Sequence, residues 1–162
     1  ALGSDIDASA TRNWRRLGRD VQEGFDWLYN RGSFNGLGHI VSNLYQYNAK
    51  TFAGFIGVQD GNFSNVFIKN AFIKVDSDLV DVRYAGIAVG ANSRNIWNVL
   101  TSGTIDVLNT GGVQVGGLAG INEAYFGYGN IQNSGSFASV KLSPLGYRPA
   151  ANNKAKLLSA AL

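Results

Sequence analysis

The sequence predicts an all-β fold wound as a β-solenoid. Three observations carry that prediction: a unit repeated along the chain, one turn signature inside it, and a local hydrophobic period of two.

The repeat comes first. "FAGFIGVQDGNFSNVFIKNAFIKV" (Phe52–Val75), "YAGIAVGANSRNIWNVLTSGTIDV" (Tyr84–Val107) and "VGGLAGINEAYFGYGNIQNSGSFASV" (Val115–Val140) align with one another. Each opens on an aromatic or β-branched residue, a small residue and a glycine. Those glycines, Gly54, Gly86 and Gly117, recur at intervals of 32 and 31 residues. A period near 30 with short apolar segments fits a coil of stacked turns better than a sandwich.

The turn signature is apolar–x–Asn: Phe63-Ser64-Asn65, Ile96-Trp97-Asn98 and Ile131-Gln132-Asn133. Asparagine tolerates left-handed backbone, and its amide can bond to a neighbouring turn. Asn65, Asn98 and Asn133 therefore read as one stacked turn position. Seven residues beyond each lies an apolar residue: Phe72, Ile105 and Val140. The gap between glycine and asparagine varies, as loops of different length on a constant frame would make it.

The strands are read from the period of two. Phe72 to Val75, Thr104 to Val107 and Phe137 to Lys141 are rich in β-branched and aromatic residues and bounded by Gly, Asn or Ser. Two regions depart from this. Thr11 to Gly32 sets Leu17, Val21, Phe25 and Leu28 at helical spacing, which predicts a short helix or an irregular excursion packed on the coil. The tail from Ser143 holds both prolines, Pro144 and Pro149, and reads as a linker or a cap on the last rung. Residues 1–142 thus form the solenoid and 143–162 the tail.

Composition bounds the function. At 162 residues with 45% hydrophobic content the chain is one folded domain. It has no cysteine, which excludes disulfides, thiolate catalysis and Cys-ligated metal. No stretch reaches the roughly 18 apolar residues of a membrane span. The net charge of +3 is too small to specify a nucleic-acid partner. A chain beginning at Ala1 without Met is expected to be a processed product or an excised fragment.

"SDIDASATRNW" (Ser4–Trp14), Gly24-Phe25 and "FNGLGHIVSNLY" (Phe34–Tyr45), followed by "VGGLAGIN…GNIQNSG…ASV", resemble the GLUG-repeat region of large bacterial exoproteins. Such regions occur in filamentous-haemagglutinin-like adhesins of the two-partner secretion route and in some surface IgA proteases. The resemblance covers roughly residues 2 to 142. It implies a right-handed parallel β-helix, secretion from a Gram-negative cell to its surface or beyond, and a role in attachment. There is no NPNL-type secretion motif, and the Arg-rich insert from Arg12 to Arg31 has no counterpart in the family pattern.

"VGGLAG" and "GLGH" are not phosphate-binding glycine motifs, and no Walker A sequence occurs. His39, alone of its kind, reads as a structural, hydrogen-bonded turn residue. Asp60, Asp76, Asp78 and Asp81 could line an enzyme's groove, but a solvated connection suits them better. Arg12, Arg15, Arg16, Arg19 and Arg31 lie within twenty residues together with Trp14 and Trp27. Guanidinium forks suit sulfate and carboxylate, and the aromatics offer stacking platforms, so this group is the candidate glycan site. The competing reading is an Arg-decorated helix face that needs no ligand. The functional expectation is a structural or adhesive segment without catalytic residues, metal or cofactor, which presents or binds host or matrix glycans. An acidic glycan or host receptor is the expected partner, with no nucleic acid and no membrane insertion. A solenoid that self-assembles into a filament is the alternative, and a polysaccharide-active enzyme the second alternative.

Overall fold

A computed structural model describes residues 1–13, 29–47, 52–76, 84–108, 112–124 and 127–143. The chain is nearly all β, wound as a parallel solenoid of about three turns. An opening rung holds the strands Tyr29–Asn30, Ser33–Asn35, Ile40–Ser42 and Tyr45–Tyr47. The first turn follows as Phe52–Ala53, Ile56–Gln59 and the long Asn62–Asp76. The middle turn repeats it as Tyr84–Gly86, Val89–Asn92 and Asn95–Leu108. The last turn is Gln114–Gly116, Ala119–Ile121, Asn130–Gln132 and Gly135–Ser143. Corresponding strands pair in parallel and make the three stacked sheets.

Register explains why these residues form this coil. Inward positions repeat down each stack: Phe34, Phe63, Ile96 and Ile131 in one column, Val41, Ile68, Thr101 and Ser136 in the next. A third column runs Gln46, Ile73, Ile105 and Val140. The opposite walls supply Ala53, Ala85 and Val115, then Ile56, Val89 and Ala119. Each interior Phe, Ile or Val side chain fully removed from water stabilises the coil by about 1.5–3 kcal/mol. Along the long strands alternate residues face outward, which gives the period of two, whereas Ile56–Gln59 and Val89–Asn92 are buried throughout.

The irregularities are local insertions. Asn70 is an extra residue in the first turn: it has φ 53, and the register shifts between Thr101 and Gly103. The residue facing Ile105, which in turn faces Val140, is consequently Ile73, and Phe72 pairs instead with Thr104, the partner of Ser139. In the last turn the extra residues form a small antiparallel hairpin, Glu123–Ala124 against Gly127–Tyr128. That excursion lengthens the gap between the glycine and Asn133.

The helix expected within Thr11 to Gly32 falls on residues 14–28, outside the described residues. At its borders the chain forms a 3-10 turn, Ser9–Asn13, and the strand Tyr29–Asn30. The tail beyond 143 also lies outside them.

Candidate functional site

Three side-chain systems stand out: the corners, the opening clamp and one outward face.

At the main corner Asn65, Asn98 and Asn133 all adopt left-handed backbone, with φ of 54, 53 and 47. L-residues pay about 1–2 kcal/mol for this conformation, and asparagine is among the few that visit it routinely. The amides also stack. Asn98 Nδ2 donates to Asn65 Oδ1 (3.1 Å), and Asn65 Nδ2 donates to Asn35 Oδ1 (3.0 Å). At a second corner, Asn30 Nδ2 donates to the buried Gln59 Oε1 (2.8 Å) and the buried Asn92 Nδ2 donates to Asn122 Oδ1 (2.7 Å). Ladders of this kind fix the register of each turn on the next, and Gln59 Nε2 is the one ladder nitrogen that is buried with no partner among the described residues.

The glycines serve close approach. A β-carbon on Gly54, whose φ is 154, would lie 2.6 Å from the Gly86 carbonyl. Gly86 pairs in register with Gly116, so Gly117 stands one place further on, against the Ser136 side chain. Adjacent glycines in "VGGLAG" made these two positions indistinguishable by spacing alone.

The opening clamp joins the "DIDAS" and "GLGH" elements. The strand Ile6–Asp7 pairs with Ile40–Ser42. Asp5 Oδ1 accepts from the Ile40 amide (2.9 Å) and lies 3.1 Å from His39 Nδ1. The Ile40 hydrogen bond, and then the His39 bond, hold the Asp5 carboxyl below the ordinary aspartate range. Asp7 is lowered by the Asn43 amide and by Ser9, whose backbone amide it caps at 3.0 Å. His39 thus sits in a corner hydrogen bond.

Of the Arg-rich group, Arg12 and Arg31 are described, while Trp14, Arg15, Arg16, Arg19 and Trp27 lie outside the described residues. Arg12 stacks over the Tyr45 ring with its guanidinium carbon 4.9 Å from the centroid, and Tyr45 stacks on Phe72 at 5.6 Å. Arg31 is exposed at the corner whose backbone crowds Gly61. Asp60 pairs with Arg94 at 3.4 Å. Asp78, Asp81 and the side chain of Asp76 lie outside the described residues. Among the described residues no three His, Cys, Asp or Glu side chains converge, and no helix is long and apolar enough to cross a membrane.

The third system escaped the sequence reading. Ser33, Asn62, Asn95 and Asn130 stack in register as one outward column, and Asn35, Ser64, Trp97 and Gln132 as its neighbour. In the first column Asn62 donates to Ser33 (3.3 Å), Asn95 to Asn62 (2.9 Å) and Asn130 to Asn95 (3.4 Å). Together the columns line a shallow groove of about 430 Å³. Trp97 stands in it with 49% of its surface exposed. Its signal in the sequence is a four-residue motif with two asparagines, Asn62–Asn65, Asn95–Asn98 and Asn130–Asn133, whose second asparagine is the turn position and whose first builds this column.

Comparison with known proteins finds one similarity of note. The chain is 33% identical over 134 residues to halomucin of Haloquadratum walsbyi (strain DSM 16790 / HBSQ001), an alignment covering 74% of this chain. It spans only 1% of halomucin's length. No family model matches the chain. No solved structure matches it either.

Proposed function

We propose that this chain is a structural and adhesive segment of a much longer secreted or cell-surface exoprotein, presenting or binding glycans of a host or matrix. The supporting observation is the in-register stack of turns, tied by side-chain ladders, in a sequence similar to a hundredth part of halomucin. A parallel coil with repeated cross-turn bonds is a stiff, extendable spacer whose outward side chains can vary without disturbing the core. Its affinity with GLUG-repeat adhesins, two-partner secretion and a Gram-negative source belong to the same reading, as does the absence of catalysis.

Location is tested on intact cells of the source organism. Antibodies raised against residues 1–143 are expected to label unpermeabilised cells, and brief protease treatment to abolish the label. Labelling only after permeabilisation overturns the proposal. Incubation with a polysaccharide panel is expected to release no reducing ends.

Self-assembly is the second reading. It is favoured by the last turn, where Ile131, Ala138 and Val140 are only partly buried against the core. Strand edges of this kind template further pairing. Light scattering of concentrated protein across a salt series tests it, and monodisperse particles throughout would count against filaments.

A further inference from the structure

We propose that the outward face built from Ser33–Asn35, Asn62–Ser64, Asn95–Trp97 and Asn130–Gln132 is a binding site for a neutral polysaccharide. This rests on the reading of the chain as a glycan-binding surface segment, and names the face and the class of sugar.

The backbone fixes the geometry. In each tripeptide the middle residue (Phe34, Phe63, Ile96 or Ile131) points into the core, so the flanking residues must point out. Rungs repeat every ~4.8 Å, and the two columns stand about 6.6 Å apart along the strands. The result is a flat grid of side chains backed by rigid sheet, a shape suited to an extended chain lying across several rungs.

The chemistry on that grid is selective. None of the residues lining the groove is charged. Sugar hydroxyls both donate and accept, as do carboxamides and serine hydroxyls taken together. Each ladder bond uses one N–H and one oxygen lone pair, leaving every interior amide a second donor and a second acceptor for a ligand. The same bonds hold the amides in place beforehand, which reduces the side-chain entropy lost on binding. Trp97 supplies the apolar surface against which a pyranose C–H face packs.

An acidic sugar is poorly served here. Its carboxylate or sulfate would lose water against amides without gaining a cation. Arg94, which precedes the column residue Asn95, is already paired with Asp60. A nucleic acid is disfavoured for the same reason, because phosphate binding is dominated by Lys and Arg contacts. The sugar this face takes is therefore of the opposite class to the acidic glycan expected of the Arg-rich group.

The test is affinity electrophoresis of the full chain through gels containing neutral polysaccharides (soluble β-glucan, xylan, mannan) or acidic ones (alginate, hyaluronan). Retardation is expected with at least one neutral polymer and should survive a roughly tenfold rise in salt, since screening acts on charges. Trp97→Ala should weaken the affinity about tenfold or more. Trp97→Phe, which keeps a ring, should retain most of it, and Asn62→Ala with Asn95→Ala should lower it severalfold. Circular dichroism confirms the fold of each variant. Undiminished binding by Trp97→Ala, or binding confined to acidic polymers, overturns this site while leaving a glycan-binding segment in place. Retention by no polymer overturns the glycan-binding reading itself, with surface labelling still deciding location.

Discussion

The middle and last turns share register and residue type but not burial. In the middle turn Ile96, Ile105 and Val107 are essentially inaccessible to water. Their partners in the last turn are Ile131, Val140 and Leu142. The first two are half-buried, Leu142 is 48% exposed, and the outward Phe137 is 77% exposed. A side chain in a solenoid is buried by turns on both sides, each some thirty residues away, so its own strand does not determine its contribution. Stability in such a coil resides in the interfaces between turns.

The largest expected effect tests that contrast within one column. Ile105→Ala should destabilise the protein by about 2–5 kcal/mol in urea titration, because the hole it leaves is walled on both sides. Val140→Ala, directly beneath it, should cost about 1 kcal/mol or less, since fewer methyl groups leave water-poor surroundings. Equal losses at the two positions would show that burial from both sides does not set a residue's contribution. Backbone sharpens it next. Gly103 faces Ala138 of the last turn and Ala71 of the first. It has φ 141, and an added β-carbon would meet the Ala71 backbone, with its nitrogen 2.6 Å away. Gly103→Ala should cost about 1–3 kcal/mol as enforced strain. Ala138→Gly should cost about 0.5–1 kcal/mol through backbone entropy, with a smaller loss from its partly buried methyl.

Much of this was legible in the sequence, and what was not has identifiable physical causes. The period near 30, the alternation of two and the turn asparagines identified the coil, because each follows from local steric rules repeated at every turn. The spacing rule paired Phe72 with Ile105, whereas the bulge at Asn70 makes Ile73 the partner. A one-residue insertion does not disturb hydrophobic content, so composition could not reveal it. Spacing points to Gly117 where Gly116 is the partner of Gly86, because two consecutive glycines carry no side chain to mark which one faces it. The face bearing Trp97 was missed for a different reason. Its columns are polar and exposed, and only stacking brings Ser33, Asn62, Asn95 and Asn130 together from four distant places. Outward chemistry in a solenoid is written across turns rather than along the chain.

The corner asparagines sharpen the comparison at a smaller scale. Asn98 combines left-handed backbone with a ladder bond to Asn65. Asn98→Ala should lose about 1–2 kcal/mol from the backbone, with the amide bond in addition. Asn98→Gly relieves the backbone strain and removes only the bond, worth about 0.5–1.5 kcal/mol. A glycine variant as unstable as the alanine variant would show that the ladder, not the φ angle, selects asparagine.

The smallest effect concerns the opening clamp, which is held by carboxylates where the turns are held by apolar contact. Asp5 and Asp7 both titrate below the ordinary aspartate value in the folded chain, owing chiefly to the Ile40 amide and the Asn43 side chain respectively. A carboxyl whose folded pKa is depressed contributes stability that is complete above its unfolded value of about 3.9. That contribution is lost as the pH falls through the folded value. Acid should therefore loosen the strand Ile6–Asp7 from Ile40–Ser42 before it disturbs the stack. Amide exchange, corrected for its intrinsic pH dependence, separates the two regions. Protection at Ile40 should decline between about pH 4 and pH 2 while protection at Ile96 persists. Asp5→Asn keeps an acceptor oxygen but removes the charge, so it should lower Ile40 protection at neutral pH and flatten the acid response. Parallel decline at Ile40 and Ile96 would mean that the clamp and the stack open as one unit, and the division between a charged opening and an apolar coil would fall.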